Sequence, residues 1–253
     1  MTWSAKQYST FEQQRTRPVR DLVAAIPEMD VRNAVDLGCG PGNSTQVLAQ
    51  RFPSATVTGL DSSDDMLVSA RDRLPALHFE LADIGTWTPS QKVDVILANA
   101  SLQWLPDHGT LYPHLVNQLA PAGVLAVQTP DNLNEPAHAL AREVAADVRW
   151  VDKIGAVEHN VRHTASYYFE LLGRHCETVD VWRTTYHHPL NDHGAVVEWF
   201  KASALRPFLA PLDDTEKSAF LDAYLARITE AYPALADGKV LLPFPRLFII
   251  ATR

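Results

Sequence analysis

"NAVDLGCGPGNST", residues 33–45, decides the fold. The apolar run NAVDL gives way to three glycines within five positions, Gly38, Gly40 and Gly42, before a helical pattern opens at Ser44. A strand that turns into a helix through glycines offers its backbone amides to a ligand, because glycine takes left-handed angles and carries no Cβ. The spacing is G-x-G-x-G, with Pro41 in the turn and Asp36 on the strand. The dinucleotide fingerprint is G-x-G-x-x-G. An early third glycine, a proline and a strand acid fit a ligand with an amino acid group instead: its ammonium seeks the acid and its carboxylate the amides.

Outward from this loop, short β-rich runs alternate with helical patterns, which predicts a parallel sheet. Strands are expected over 33–37, 55–61, 77–83, 93–100 and 123–129. Helices are expected over 16–26, 44–51, from Ser62 or Ser63 to about Leu74, and 107–119. After Pro130 the rhythm changes. Helices are expected over 135–151, 194–204 and 213–231, a strand over 178–188, and a last strand in "RLFIIAT" behind a proline-broken loop. The reading is a single α/β domain over 1–253: an N-terminal helical segment (1–30), a cofactor-binding core (31–130), and 131–253 completing the sheet and adding a helical lid. In open α/β sheets, ligands bind at the carboxyl edge.

The other strand ends carry polar groups. Asp61 closes the second strand, where an acid takes ribose hydroxyls in α/β nucleotide sites. Asp83 follows the third, placed to accept from an adenine amino group with Ile84 against the ring, and Asn99 ends the fourth. Together with Asp36 these outline one extended ligand: amino acid, ribose, adenine.

Composition excludes several classes. The chain has 253 residues, 46% of them apolar, and a formal charge of −8. That acidity argues against non-specific binding to nucleic acid or anionic membrane. No apolar run is long enough to span a bilayer, and the first residues lack the apolar core of a secretory signal. Two cysteines, Cys39 and Cys176, and ten histidines show no metal-ligand spacing. The expectation is a reduced cytoplasmic protein without disulfide or metal, a monomer or weak homo-oligomer. Cys39 reads as a small packed side chain.

"DLGCGPG", with Asp61 and Asp83 in place, resembles the first motifs of the class I S-adenosylmethionine-dependent methyltransferases, over at least residues 33–129. The resemblance implies a Rossmann-like, mostly parallel seven-stranded sheet with helices on both faces. It implies S-adenosylmethionine as cofactor, leaving as S-adenosylhomocysteine. It also implies a cofactor-binding set of Asp36, Gly38, Cys39, Gly40, Asn43, Asp61, Ser62, Met66, Asp83, Ile84 and Asn99, with Arg15 from the N-terminal segment.

Within that class, "FEQQRTRP" (11–18), "NASLQWLPDH" (99–108), "QTPDN" (128–132), "WRTTYHH" (182–188), "LRPFL" (205–209) and "FPRLFI" (244–249) resemble the methyltransferases that esterify trans-aconitate. Residues 152–165 match no motif. The residue chemistry agrees with a tricarboxylate acceptor. Arg183, Arg206 and Arg246 stand in apolar or aromatic surroundings, and arginine's planar fork pairs bidentately with carboxylate. Tyr186 and His187 lie near Arg183 and can add neutral hydrogen bonds, and Arg15 and Arg17 can close over either ligand. A surface ion pair is the plainer role for any one of these arginines. Gln103 and Trp104, after the fourth strand, are candidate positioning residues, with Ser101 a further possible contact. Trp104 suits either a cation–π contact to a sulfonium or plain packing. Three rivals stand: a nicotinamide-dependent oxidoreductase, disfavoured by the early glycine and Asp83; a methyltransferase for another small acid or a lipid-like quinone; and a non-catalytic binder of S-adenosylmethionine.

Overall fold

The computed structural model describes residues 12–157, 161–201 and 204–253, with backbone alone for residues 12–15. Seven strands form one sheet in the order β3-β2-β1-β4-β5-β7-β6. They are β1 (Asn33–Leu37), β2 (Thr56–Asp61), β3 (His78–Leu81), β4 (Val93–Asn99), β5 (Leu119–Pro130), β6 (Thr178–Leu190) and β7 (Val240–Thr252). The pairs β3–β2, β2–β1, β1–β4 and β4–β5 are parallel. β7 runs against β5: Ala122 donates to Arg253 at one end, and Asp131 donates to Pro245 further along. The expected mostly parallel seven-stranded sheet is therefore present.

Between the strands lie α1 (Glu12–Ala24), α2 (Asn43–Arg51), α3 (Asp64–Arg73), α4 (His108–Gln118), α5 (Pro136–Ala145), α6 (Val151–Ile154), α7 (Ala165–Leu172), α8 (His193–Lys201), α9 (Arg206–Leu209) and α10 (Asp214–Ala231). A single 3₁₀ turn covers Leu102–Trp104. Central strands of a parallel sheet are covered on both faces and so read as unbroken apolar runs. In β4, Val95, Ile96, Leu97 and Ala98 are all fully buried. On one face Ile96 and Ala98, with Val35 and Leu37 of β1, pack with Leu111, Tyr112, Leu115 and Val116 of α4 and Tyr168 and Leu172 of α7.

The chain divides into two compact units. Unit 1 comprises the described residues within Met1–Pro130, Asn160–Thr184 and Leu247–Arg253; unit 2 those within Asp131–His159 and Thr185–Arg246. In unit 2, α10 opens with a capping box: Asp213 accepts from the Glu216 amide while the Glu216 side chain accepts from the Asp213 amide. Tyr224 on α10 donates to the Ala137 carbonyl at 2.8 Å, and the Ala137 amide donates to the Tyr232 hydroxyl at 3.0 Å, so α5 starts on two buried phenols.

Several elements differ from the sequence reading: α7 (Ala165–Leu172) has no counterpart in it, β5 starts at Leu119 rather than at residue 123, and the last strand and two helices of the second half also differ. The last strand starts at Val240 and carries Pro243 and Pro245 inside it. Alternate residues of a strand direct their N–H groups to the same edge, so both missing donors fall on one side and the other side keeps its ladder. The helix expected over 135–151 splits into α5 and α6, because the Asp147 carboxylate accepts from the Arg149 amide at 2.9 Å and makes a turn there. The helix expected over 194–204 ends at Lys201, and Pro207 sits in the first turn of a separate α9.

Candidate functional site

Register brings the strand ends into line. Leu37 pairs with Leu60, and Asp36 with Leu97. Gly38, Asp61 and Asn99 therefore stand in one row across three strand tips, roughly 10 Å wide at the usual strand spacing. Asp83 lies two residues past Leu81, which pairs with Asp61.

The glycine loop is folded onto β2. Gly38 and Cys39 both donate to the Leu60 carbonyl, at 2.7 and 2.9 Å. Gly40 donates to Asp61 Oδ2 at 2.9 Å, and Ser63 donates to Asp61 Oδ1 at 2.9 Å. Gly38 has φ +74°, and a Cβ on it would lie 2.4 Å from the Ser101 Cβ and 3.4 Å from Ile84 Cδ1. Gly40 has φ +54° with open space on its Cβ side. Cys39 is buried against Leu67, Ala70 and Phe79, and burial pushes its thiol far above the ordinary range, so it is no nucleophile.

Asp36 is fully buried beneath the loop. Ser44 and Thr45, in the first turn of α2, each donate to its Oδ2 at 2.7 Å. Its Oδ1 is buried without a hydrogen-bond partner, as is Asn99 Oδ1. Burial raises the Asp36 carboxyl to about 6, against the lowering effect of the two hydroxyls, with the Asp61 charge a smaller push upward. Two buried acceptor oxygens on adjacent strands at the carboxyl edge suit a cationic amine.

Of the other expected cofactor contacts, Asp83 is exposed and accepts from the Gly85 amide at 2.9 Å, while half-buried Ile84 faces Gly38. Asn43 is drawn to Arg73, which donates to its Oδ1 at 2.9 Å. Ser62 is exposed and Met66 is buried on α3. Arg15 lies on α1, its side chain outside the described residues. Sequence reading missed Ser44 and Thr45 as partners of Asp36; hydroxyls in the first turn after a glycine loop are the signal.

Beyond β4 the chain turns sharply. Ala100 sits at φ +54°, a left-handed conformation that strains a residue with a Cβ. The Ala100 amide donates to the Gln128 carbonyl at 2.8 Å, and the Ser101 hydroxyl to the Leu37 carbonyl at 2.7 Å. Gln103 is buried with Nε2 donating to the Ala100 carbonyl at 2.7 Å, whereas Trp104 is 55% exposed.

The expected acceptor residues fall in both units. Arg183 is exposed on β6 in unit 1, one residue from Trp182, which stacks on Phe248 at 4.9 Å. In unit 2, Arg246 is only 4% exposed, with its guanidinium 4.8 Å over the Phe244 ring. Phe244 packs against His188, Trp199 and Phe200, and His188 lies parallel to buried Tyr186. His187 points out of this aromatic box and is exposed; Arg206 is half-buried at the start of α9. No group of three or more His, Cys, Asp or Glu suited to a metal occurs among the described residues. No described helix is long and apolar enough to cross a membrane.

A family model described as a methyltransferase domain matches residues 30–194. A trans-aconitate 2-methyltransferase of Methylobacterium radiotolerans is 53% identical over 255 residues, 99% of this chain and 98% of the relative. That of Afipia carboxidovorans is 51% identical over 256 residues, 99% of each. Two solved structures share the fold: the YcgJ protein of Bacillus subtilis (TM-score 0.61, 11% identity, 94% of this chain and 98% of that one) and coclaurine N-methyltransferase bound to N-methylheliamine and S-adenosylhomocysteine (0.56, 16%, 95% and 72%).

Proposed function

The chain belongs to the trans-aconitate 2-methyltransferases, and from that premise we propose how its residues serve the esterification of one trans-aconitate carboxylate. The products are a monomethyl ester and S-adenosylhomocysteine. S-adenosylmethionine, when bound, supplies an electrophilic methyl group on a cationic sulfur. The observation that carries its placement at the strand tips is the pair of buried, unpartnered oxygens, Asp36 Oδ1 and Asn99 Oδ1. Asp36 takes the amino group, and the open face of Gly40 admits the amino acid end. Asp61, already holding the loop through Gly40, has further lone pairs for ribose hydroxyls. Asp83 and Ile84 flank the base.

The acceptor carboxylate is ionised at neutral pH, with a reference pKa near 4, so no general base is needed. The residues' work is alignment, where well-oriented reactants gain up to ~7–11 kcal/mol. Gln103 and Trp104 are assigned to that task at the β4 tip, Trp104 through its ring face. Arg183, Arg206 and Arg246, with Tyr186 and His187, are assigned to the acceptor. Tight guanidinium pairing would blunt a nucleophilic oxygen, so the arginines hold the two spectator carboxylates and leave the third for reaction. The free thiols of Cys39 and Cys176 suit a reducing cytoplasm, with the protein a monomer or weak homo-oligomer.

The test is a methyl-transfer assay over a panel of di- and tricarboxylic acids, with thermal shift against S-adenosylhomocysteine and NAD. Ester formation on trans-aconitate and stabilisation by S-adenosylhomocysteine alone are expected. Transfer to none of the acids would overturn the acceptor reading, and stabilisation by NAD the cofactor reading.

A further inference from the structure

The turn after β4 is held from outside the glycine loop, within unit 1. His108, first residue of α4 and 3% exposed, places Nε2 3.0 Å from the Leu102 carbonyl and Nδ1 2.7 Å from the Tyr168 hydroxyl on α7. A carbonyl only accepts, so Nε2 carries the proton and Nδ1 accepts from Tyr168. Burial holds this imidazole neutral, in keeping with that tautomer. Arg162, in the segment before α7, donates from Nη1 to the Gln103 carbonyl at 3.0 Å.

The carbonyls of residues 100–103 thereby each have a donor. Ala100 accepts from Gln103 Nε2, Ser101 from the Trp104 amide, Leu102 from His108 and the Leu105 amide, and Gln103 from Arg162. The first of these residues, Ala100, is strained, and strained backbone persists only where its surroundings over-determine it. Two of the donors come from the far side chains of His108 and Arg162.

We propose that Arg162, His108 and Tyr168 are positioning residues for methyl transfer, holding the strained 100–104 turn so that Gln103 and Trp104 keep their aim at the reacting carboxylate. This rests on the reading of the β4 tip as the transfer site.

Tyr168→Phe, Arg162→Ala and Arg162→Lys test it. Misplacement of aligned groups by about 1 Å costs rate up to about a hundredfold, so Tyr168→Phe and Arg162→Ala are expected to lower kcat about tenfold or more, with the acceptor KM and S-adenosylhomocysteine affinity within about twofold. Arg162→Lys keeps one donor for the Gln103 carbonyl and is expected to recover most of the rate. In the S-adenosylhomocysteine complex, Arg162→Ala and Tyr168→Phe are expected to speed amide hydrogen exchange over 100–105 and leave β1 unchanged. Unchanged kcat with unchanged exchange overturns the proposal. So does a raised acceptor KM at constant kcat in both Arg162 variants, which would make Arg162 a direct carboxylate ligand. If the wild-type protein esterifies no tricarboxylate, the acceptor reading falls, and exchange over 100–105 alone decides whether these side chains hold the turn.

Discussion

Gly38 and Ser101 approach so closely that a Cβ on the glycine would meet the serine Cβ at 2.4 Å. Ser101 cannot retreat without breaking its 2.7 Å bond to the Leu37 carbonyl. The glycine loop and the β4 turn are thus interlocked, and the two nearest glycines have separable roles. Gly38→Ala is expected to destabilise the ligand-free protein by about 2–3 kcal/mol, from left-handed strain of about 1–2 kcal/mol plus the overlap. Gly40→Ala meets only the left-handed strain, since its surroundings are open, but fills space assigned to the cofactor. Thermal melts with and without S-adenosylhomocysteine check this: Gly38→Ala loses the larger share of melting temperature, Gly40→Ala the larger share of the ligand's stabilisation.

Asp36 makes stability and binding respond oppositely to pH. Its carboxyl is raised from 3.8 to about 6 by burial. A carboxyl whose folded pKa lies above its unfolded value contributes most below the unfolded value, and that contribution is lost as pH rises through about 6. The ligand-free fold therefore loses on the order of 3 kcal/mol from this group between pH 4 and neutrality. With Asp36 in its proposed role as partner of the cofactor's amino group, affinity follows the ionised form and is expected to rise over the same window, by about tenfold between pH 5 and 7. Calorimetric titration with S-adenosylhomocysteine and urea unfolding at several pH values measure both. Asp36→Asn is expected to weaken binding at pH 7.5 and flatten both profiles.

Arg246 is a buried guanidinium over an aromatic ring. Arg246→Ala is expected to raise the trans-aconitate KM more than about tenfold while S-adenosylhomocysteine affinity stays within about twofold. Arg246→Lys keeps charge and volume but not the fork, and an intermediate KM is expected. Initial-rate kinetics beside calorimetry decide; equal losses for both ligands would remove Arg246 from the acceptor set.

The capping box on α10 offers a check in unit 2. Asp213→Ala is expected to cost about 1 kcal/mol, lowering the melting temperature by about 2–4 °C with kcat unchanged.

Much of the glycine loop and the strand-tip row was legible because its determinants are local. Asp36, the glycines and the start of α2 fall within a dozen residues, and parallel pairing then fixes Asp61 and Asn99 in the same row. Asn43 illustrates the limit: its place in the motif is plain, but the Arg73 side chain that claims its oxygen lies thirty residues away. The last strand was truncated in the reading because Pro243 and Pro245 look like breaks, and only their sharing one strand edge makes them tolerable. Arg162 was invisible for a different reason. It acts on a backbone carbonyl 59 residues earlier, and such an acceptor leaves no mark on the sequence.

The division of the chain bears on how such an enzyme changes in evolution. Two passages between the units fall inside strands, after Thr184 in β6 and after Arg246 in β7. A gene fragment ending at Pro130 forgoes both of those ladders, and a chimaera that trades 131–246 between relatives is spliced in mid-strand at its far end. Shuffling of whole modules is thereby penalised, and new acceptors are expected to arise by point substitution within an uninterrupted reading frame.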